Sequence, residues 1–345
     1  DADGSYLGSN AKHYPMLAIE EPEAHLHPTM QYQFLSFLAK NMKQNKVRQV
    51  FVTTHSTHMV ASVALDNIIC LFREGNQVVA AYPGATFVND YSKKYVQRFL
   101  DATKSDMLFA EKVVLVEGIT EQLLLSVFAR YLGEKYHLEH NHVSVIDVGG
   151  ITFRHFLTLF DVERSDKSIK RKVACLTDID PMRKIKDGER CRFKGCYPFE
   201  YGLEVNYDYK RNDLLGAYEN HPNIKMFHSK PQYGKTFEYD LVWNNPALDL
   251  LITDSISNKK ELENLMQAYR EGQSFAELKE ILNKSKENER ICTSLDQVDW
   301  KEDEKKRALI ASRYQNSVEK GQNALELSYT LENNLNKRGA EGHKE

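Results

Sequence analysis

An α/β fold on a parallel sheet, followed by a helical C-terminal region, is what these 345 residues predict. Three observations carry that expectation. Short apolar runs alternate with stretches of helical period through the first ninety residues, and the alternation resumes from Val113 to Asp178. Strands separated by helices imply right-handed crossovers and parallel pairing. Beyond Lys259 the chain becomes highly charged with a helical pattern.

Taken in order, "MLAIEEPE" reads as a strand running into acids, and "TMQYQFLSFLAKNMKQ" as a helix with Met30, Phe34, Phe37 and Leu38 on one face. "RQVFVTTHS" is a second buried strand, and "NIICLFREGNQVVAAYP" a hairpin turning near Glu74-Gly75-Asn76. A polar helix, "YSKKYVQRFLDATKSDMLFA", leads to strand 113–117, helix 120–132, strand 143–147, helix 152–160 and strand 173–178. The closing "NKRGAEGHKE" has the composition of a flexible tail. The expected division is 1–92, a linking helix 93–110, a second domain 111–258, a helical region 259–336 and a tail 337–345.

Composition excludes several classes. No run of eighteen apolar residues is present, so nothing is expected to span a membrane. "DADGSYLGSN" lacks the pattern of a secretory signal. A net charge of -3 argues against a uniformly basic coat and leaves local patches open. Five scattered cysteines fit reduced thiols better than a disulfide framework, and Cys191 and Cys196 lack the second pair of a zinc knuckle. A cytoplasmic protein fits best.

Two constellations carry chemistry. Glu20 and Glu21 follow the first strand, where a parallel sheet binds phosphates and their metal. One acid of such a pair can hold Mg²⁺ and the other polarise water, while His55, ending the second strand, can reach a γ-phosphate. Singly, each residue also reads as an ordinary cap. In the second constellation Glu117 ends a buried strand and Glu121 lies one helical turn on. Capping explains Glu121 in part, but not Glu117. Gly149-Gly150 makes a tight turn, and Asp178 and Asp180, spaced i, i+2, would share one face of an extended segment stopped by Pro181. Four carboxylates at one sheet edge repel each other without cations, and oxygen-only ligands suit Mg²⁺ or Mn²⁺. Two such ions about 3.5–4 Å apart can serve phosphodiester hydrolysis.

The stretch "EEPEAHLHP … TTHS" resembles the Walker B segment, D-loop and switch histidine of ABC-type ATPases of the SMC/RecF-like and OLD-like branch. That resemblance implies Glu20 on the metal side, Glu21 as water-polarising base and His55 as γ-phosphate sensor. The sequence contains no GxxxxGK[ST] phosphate loop, so ATP is expected to need residues outside this chain, either from a longer protein or from another chain. "VEGITE … VGG … TDID" resembles the Toprim domain of topoisomerases, primases and nucleases. Together the two segments are similar to the OLD (overcoming lysogenization defect) family of ATPase–Toprim nucleases, which includes the nuclease subunit of Gabija antiphage systems.

By that resemblance 1–92 is a partial ATPase lobe and 111–258 a Toprim domain. The same resemblance implies Glu117, Glu121, Asp178 and Asp180 as metal ligands, with Thr177 touching a water or phosphate. "KTFEYDL" makes Glu238 a further ligand, and "EKGQNALEL" makes Lys320 the lysine that supports the transition state, against the ordinary reading of a solvated lysine on a charged helix. The implied function is a divalent-metal-dependent DNA endonuclease controlled by its ATPase lobe, acting in antiphage defence on double-stranded DNA. A homo-oligomer through the ATPase and C-terminal regions, and a helicase-like partner, are also implied. A basic run over 163–194, including Arg164, Lys167, Lys170, Arg171, Lys172, Arg183, Lys184, Lys186, Arg190, Arg192 and Lys194, brackets Asp178 and Asp180 and is expected to hold phosphates. Two other functions compete. A topoisomerase-like strand transferase would need a nucleophilic tyrosine on a winged-helix domain, and a non-catalytic ATP-gated scaffold would use the acids for structural metal alone.

Overall fold

A computed structural model describes residues 16–100, 104–150, 152–187 and 190–342. The chain divides into two compact units, one of residues 1–113 and 152–172, the other of 114–151 and 173–345.

In the first unit β1 (Met16–Glu20) and β2 (Gln49–Thr53) pair in parallel across α1 (Pro28–Lys43). α2 (Thr57–Ala61) follows, its Ser56 cap accepting from the Met59 amide at 3.2 Å. The expected hairpin forms from β3 (Cys70–Glu74) and β4 (Gln77–Ala81), with Gly75 at φ 62 in the turn. Helix α1 forms as expected, but its apolar face is not a buried one. Leu38 is buried, whereas Met30 and Phe37 are 47% and 61% exposed. The polar helix is also shorter than expected. α3 (Asp90–Phe99) ends where Leu100 turns extended, and residues 104–108 form a separate single turn.

Residues 152–172, assigned from sequence to the second domain, pack with the first unit. The helix expected over 152–160 shrinks to α5 (Phe153–Leu157). Phe156 meets the Tyr95 ring of α3 edge-on at 6.1 Å, His155 Nδ1 lies 3.0 Å from Ser92 Oγ, and the Tyr82 amide donates to the Lys167 carbonyl. These contacts link positions more than sixty residues apart, beyond the reach of local pattern.

The second unit centres on a sheet of order β11-β7-β5-β6, comprising β5 (Lys112–Val116), β6 (Val143–Asp147), β7 (Lys172–Leu176) and β11 (Ile224–Phe227). β11 runs parallel to β7, and α4 (Ile119–Tyr131) makes the crossover from β5 to β6. Val113, Leu115 and Val116 are buried in β5, as a strand covered on both faces requires. A second sheet joins β8 (Met182–Asp187), β9 (Arg190–Gly195) and β10 (Tyr209–Lys210) in the order β10-β8-β9. Helices α6 (Phe237–Asn244), α7 (Lys259–Arg270), α8 (Phe275–Ile281), α9 (Lys286–Gln297), α10 (Glu302–Gln315) and α11 (Lys320–Gly342) complete the unit. One apolar cluster runs from Leu124 and Val127 of α4 through Tyr239 and Val242 of α6 to Leu309, Ala324 and Leu327 of α10 and α11. The C-terminal helices thus share a core with the sheet's own crossover helix. α11 extends through Gly342, so the expected tail is helical over 337–342, and its last residues, 343–345, lie outside the described set. Among the described residues no helix is long and apolar enough to cross a membrane.

α11 is also tied to the loop before α7. Glu326 accepts from Gln322 Nε2 at 3.0 Å and from the Ser255 amide at 2.9 Å, which holds its carboxyl down at about 2. A depressed carboxylate stabilises the fold above its unfolded value and loses that contribution as pH falls through the folded one. Glu326→Gln should therefore lower the melting temperature at pH 7, with the gap closing between pH 4.5 and about 2. Thermal denaturation of both proteins across that range checks this.

Candidate metal centre

β5 ends at Val116, and Glu117 stands one residue beyond it. Its position is fixed from both sides. The Gly150 amide donates to the Glu117 carbonyl at 2.8 Å, and the Val148 amide to the Val116 carbonyl at 3.0 Å. Gly149 and Gly150 hold φ of 72 and 81, and a Cβ would meet nothing within 4 Å, so left-handed backbone rather than space calls for glycine. Gly118 differs. Its backbone is extended, and a Cβ there would stand 3.4 Å from Glu121 Oε2 in ordinary contact, so the strand-to-helix passage needs no special conformation.

The Glu117 side chain faces β7. Its Oε1 accepts from Thr177 Oγ1 at 2.5 Å and from the Asp178 amide at 3.0 Å. Thr177 thus acts on a ligand candidate as a hydrogen-bond donor. Asp178 and Asp180 do not share an extended strand, contrary to the expectation from their spacing. β7 ends at Leu176, and Asp180 adopts a left-handed backbone at φ 44. That turn, not strand alternation, brings both carboxylates to one side, and Pro181 leads into β8 rather than closing a strand. One oxygen each from Glu117, Asp178 and Asp180 lies within 4.8 Å of the other two.

Three helix starts surround this trio. Glu121 lies in the first turn of α4, Glu238 in the first turn of α6, and Lys320 opens α11. Glu121 and Glu238 are 5% and 3% exposed. Glu238 Oε2 accepts from Thr236 Oγ1 at 3.0 Å and pairs with Lys320 Nζ at 2.9 Å. Lys320 is therefore turned toward the acids rather than merely solvated.

Residues not singled out from sequence secure the turn. Asn212 Nδ2 donates to Thr177 Oγ1 at 2.7 Å and to the Asp178 carbonyl at 3.2 Å. The Lys235 carbonyl takes the Ile179 and Asp180 amides at 3.0 and 3.2 Å. Gly234 lets that loop close on the turn, since a Cβ there would stand 2.9 Å from Ile179 Cγ1 and 2.7 Å from Ser229 Cβ. A cavity of about 320 Å³ opens beside Asp178, lined also by Phe227, His228, Asp240 and Asn244.

The electrostatics match the crowding. Burial, then Glu117 and Asp180, push the Asp178 carboxyl up to about 9. Burial, opposed by its own backbone hydrogen bond and reinforced by Glu238, brings Glu121 to about 7. Burial also raises Glu117 and Asp180. Lys320 runs the other way: burial pulls its ammonium down, but Glu238, Asp178 and Glu121 outweigh burial and hold it charged. Buried like charges of this kind call for a counter-cation, and an all-oxygen donor set fits a hard divalent ion. The acidic cluster is consistent with divalent metal binding.

In the first unit, Glu20 ends β1 and is exposed. Glu21 follows at φ 40, its amide bonded to the Thr53 carbonyl at 3.0 Å. His55 Nε2 lies 3.4 Å from Glu21 Oε1, with both side chains open to solvent. The His55 amide donates to Glu23 Oε1 at 2.6 Å, the third acid of the "EEPE" stretch and one that no motif singled out.

The fold and site define a Toprim-type α/β protein with an ATPase-type segment ahead of it. An AAA ATPase domain model matches residues 7–60, and an overcoming lysogenization defect protein-like TOPRIM domain model matches residues 108–180. The chain is 24% identical over 299 residues to the endonuclease GajA of Bacillus cereus (strain HuB5-5), an alignment covering 77% of this chain and 42% of that protein. It is 25% identical over 175 residues to the Old nuclease of Escherichia phage P2, covering 49% and 28%. The chain thus spans less than half the length of the curated relatives it matches. The C-terminal region of the Burkholderia pseudomallei OLD protein aligns with 64% of this chain and 98% of its own, at 18% identity and a TM-score of 0.30, an overlap too loose to add weight. Over these segments the chain is similar to OLD-family proteins.

Proposed function

We propose that the chain is the nuclease part of a divalent-metal-dependent DNA endonuclease, cutting phosphodiesters at the acidic centre. The observation that carries this reading is the gathering of Glu117, Asp178 and Asp180 oxygens within 4.8 Å. The names of two relatives, an endonuclease and a nuclease, support it. Glu117, Asp178 and Asp180 would hold one Mg²⁺ or Mn²⁺, and Glu121 and Glu238 would offer oxygens to a second. Bound there, such ions supply water activation and charge neutralisation at phosphorus. Thr177 and Asn212 keep Glu117 and the Asp178 backbone in register. Lys320, charged and paired with Glu238, places a positive group where charge accumulates on the phosphate.

The ATPase-type segment regulates this site in the same reading. Glu20 serves the metal side, Glu21 polarises water and His55 senses a γ-phosphate. With no GxxxxGK[ST] in the sequence, ATP binding there draws its phosphate loop from residues outside this chain. Antiphage defence, a homo-oligomeric assembly and a helicase-like partner belong to this proposal through the family alone.

Nicking of supercoiled plasmid with Mg²⁺ or Mn²⁺, and its loss with EDTA, tests the reading. Lys320→Met should keep Mn²⁺ binding yet slow nicking by about 10²-fold or more, with partial recovery in Lys320→Arg. Nicking that survives EDTA, or a tyrosine-linked DNA adduct in place of free ends, would overturn the proposal.

A further inference from the structure

The structure splits the basic run of 163–194 between the units. Residues 164–172 belong to the first, whereas the basic residues of β8 and β9, Arg183 and Lys194 among them, lie in the same unit as the acids. The register sorts the latter by face. Arg183 pairs with Lys194 and Ile185 with Arg192, and Tyr209 of β10 pairs with Arg183, so these share one face. Lys184 pairs with Phe193, and Lys210 with Met182, on the other. Arg192, Lys194 and Lys210 are exposed, and Phe193 is 41% exposed.

The aromatic side chains here already serve the cations. Lys210 Nζ sits 4.6 Å from the Phe193 ring centre, the Arg183 guanidinium 5.4 Å from Tyr207, and that of Arg211 3.8 Å from Tyr201. Rings covered in this way hold long cationic side chains in place instead of offering bare faces for base stacking. The sheet is also rooted at the acids. Pro181 alone separates Asp180 from β8, and the Cys196 amide, just after β9, returns to the Pro181 carbonyl at 2.9 Å.

The geometry points to the β8–β9–β10 sheet as the surface that holds the sugar-phosphate backbone of duplex DNA beside the acidic centre. This inference rests on the nuclease reading and names the element that grips the DNA. Acids that carry a catalytic cation repel a polyanion, and a polyanion reaching them needs fixed cations alongside. Arg192 and Lys194, about 7 Å apart along one strand, supply these without reading bases, so binding is sequence-tolerant and strongly salt-dependent. Preference for duplex over single strand follows, because covered rings give unpaired bases nothing to stack on.

Fluorescence anisotropy of the full chain with a labelled duplex in EDTA reads this without cleavage. The Arg192→Glu/Lys194→Glu variant should bind at least about 10-fold more weakly, and Arg192→Gln/Lys194→Gln should lower the slope of log affinity against log salt by about 2. Mn²⁺ binding and circular dichroism should stay as in the wild type, separating lost contacts from lost fold. Unchanged affinity and slope in both variants would overturn the assignment. So would tighter binding to single strands that disappears in Phe193→Ala. If the wild type binds duplex through these residues but never nicks, the nuclease reading fails and this one stands. If nicking persists and the variants bind normally, only this one falls.

Discussion

Replacing Asp178 by asparagine should abolish metal-dependent nicking and, in the same molecule, stabilise the metal-free protein. Both effects follow from the placement of this carboxylate. One of its oxygens lies within 4.8 Å of a Glu117 and an Asp180 oxygen, and burial and those neighbours raise it to about 9. A bound cation offsets the repulsion, and without one the site is a local strain on the fold. Losing a ligand from a centre expected to contribute several kcal/mol should slow cleavage by at least about 10³-fold. Removing a carboxyl that stays protonated in the fold but ionises in the unfolded chain should add about 1–4 kcal/mol to the stability of the protein in EDTA at pH 7. Mn²⁺ at about 100 times its dissociation constant should then add about 2.7 kcal/mol to the wild type alone and narrow or close that gap. Plasmid nicking and paired thermal melts in EDTA and Mn²⁺ read both halves. A variant that still nicks, or that gains as much from Mn²⁺ as the wild type, would remove Asp178 from the centre.

The parts of this centre legible in the sequence are those whose residue types had no cheaper explanation. Glu117 at the end of an apolar strand, and two adjacent glycines after another, signalled a site because burial and left-handed backbone are costly without a purpose. The alternation of strands and helices likewise placed β5, β6 and β7 at one sheet. Spacing failed where the backbone leaves regular structure. The i, i+2 interval of Asp178 and Asp180 pointed to an extended strand, and the left-handed Asp180 is invisible to any periodicity. Asn212, Gly234 and Lys235 act through loops 34 to 56 residues from the partners they hold, so nothing local marks them. The helical period of α1 gathers Met30, Phe34, Phe37 and Leu38 on one face, but period alone does not say what covers it, and Met30 and Phe37 lie open.

Arg290→Met should melt the second unit earlier and weaken Mn²⁺ binding at the proposed centre, although Arg290 touches none of the acids proposed as ligands. Its guanidinium grips Glu200, with Nε to Oε1 at 2.7 Å and Nη2 to Oε2 at 2.6 Å. Glu200 is 3% exposed and also takes the Tyr197 amide at 2.8 Å. Truncating one partner leaves a buried carboxylate without its cation, at a cost of about 3–5 kcal/mol. For a unit of this size that corresponds to a melting point lower by about 10 °C. The effect reaches the site through Tyr197. Its hydroxyl bonds Glu287 at 2.7 Å and receives the Asn316 amide at 2.8 Å, and the Lys235 ammonium lies 3.9 Å from its ring. The Lys235 carbonyl in turn holds the Ile179 and Asp180 amides. A loosened Tyr197 therefore loosens the turn carrying Asp180, and Mn²⁺ affinity should fall with stability. Glu200→Gln/Arg290→Met should recover part of both losses, because the stranded charge is gone while the shape is nearly kept. A double variant no more stable than Arg290→Met alone would show that the cost lies in lost packing around Tyr197 and not in an unpaired carboxylate.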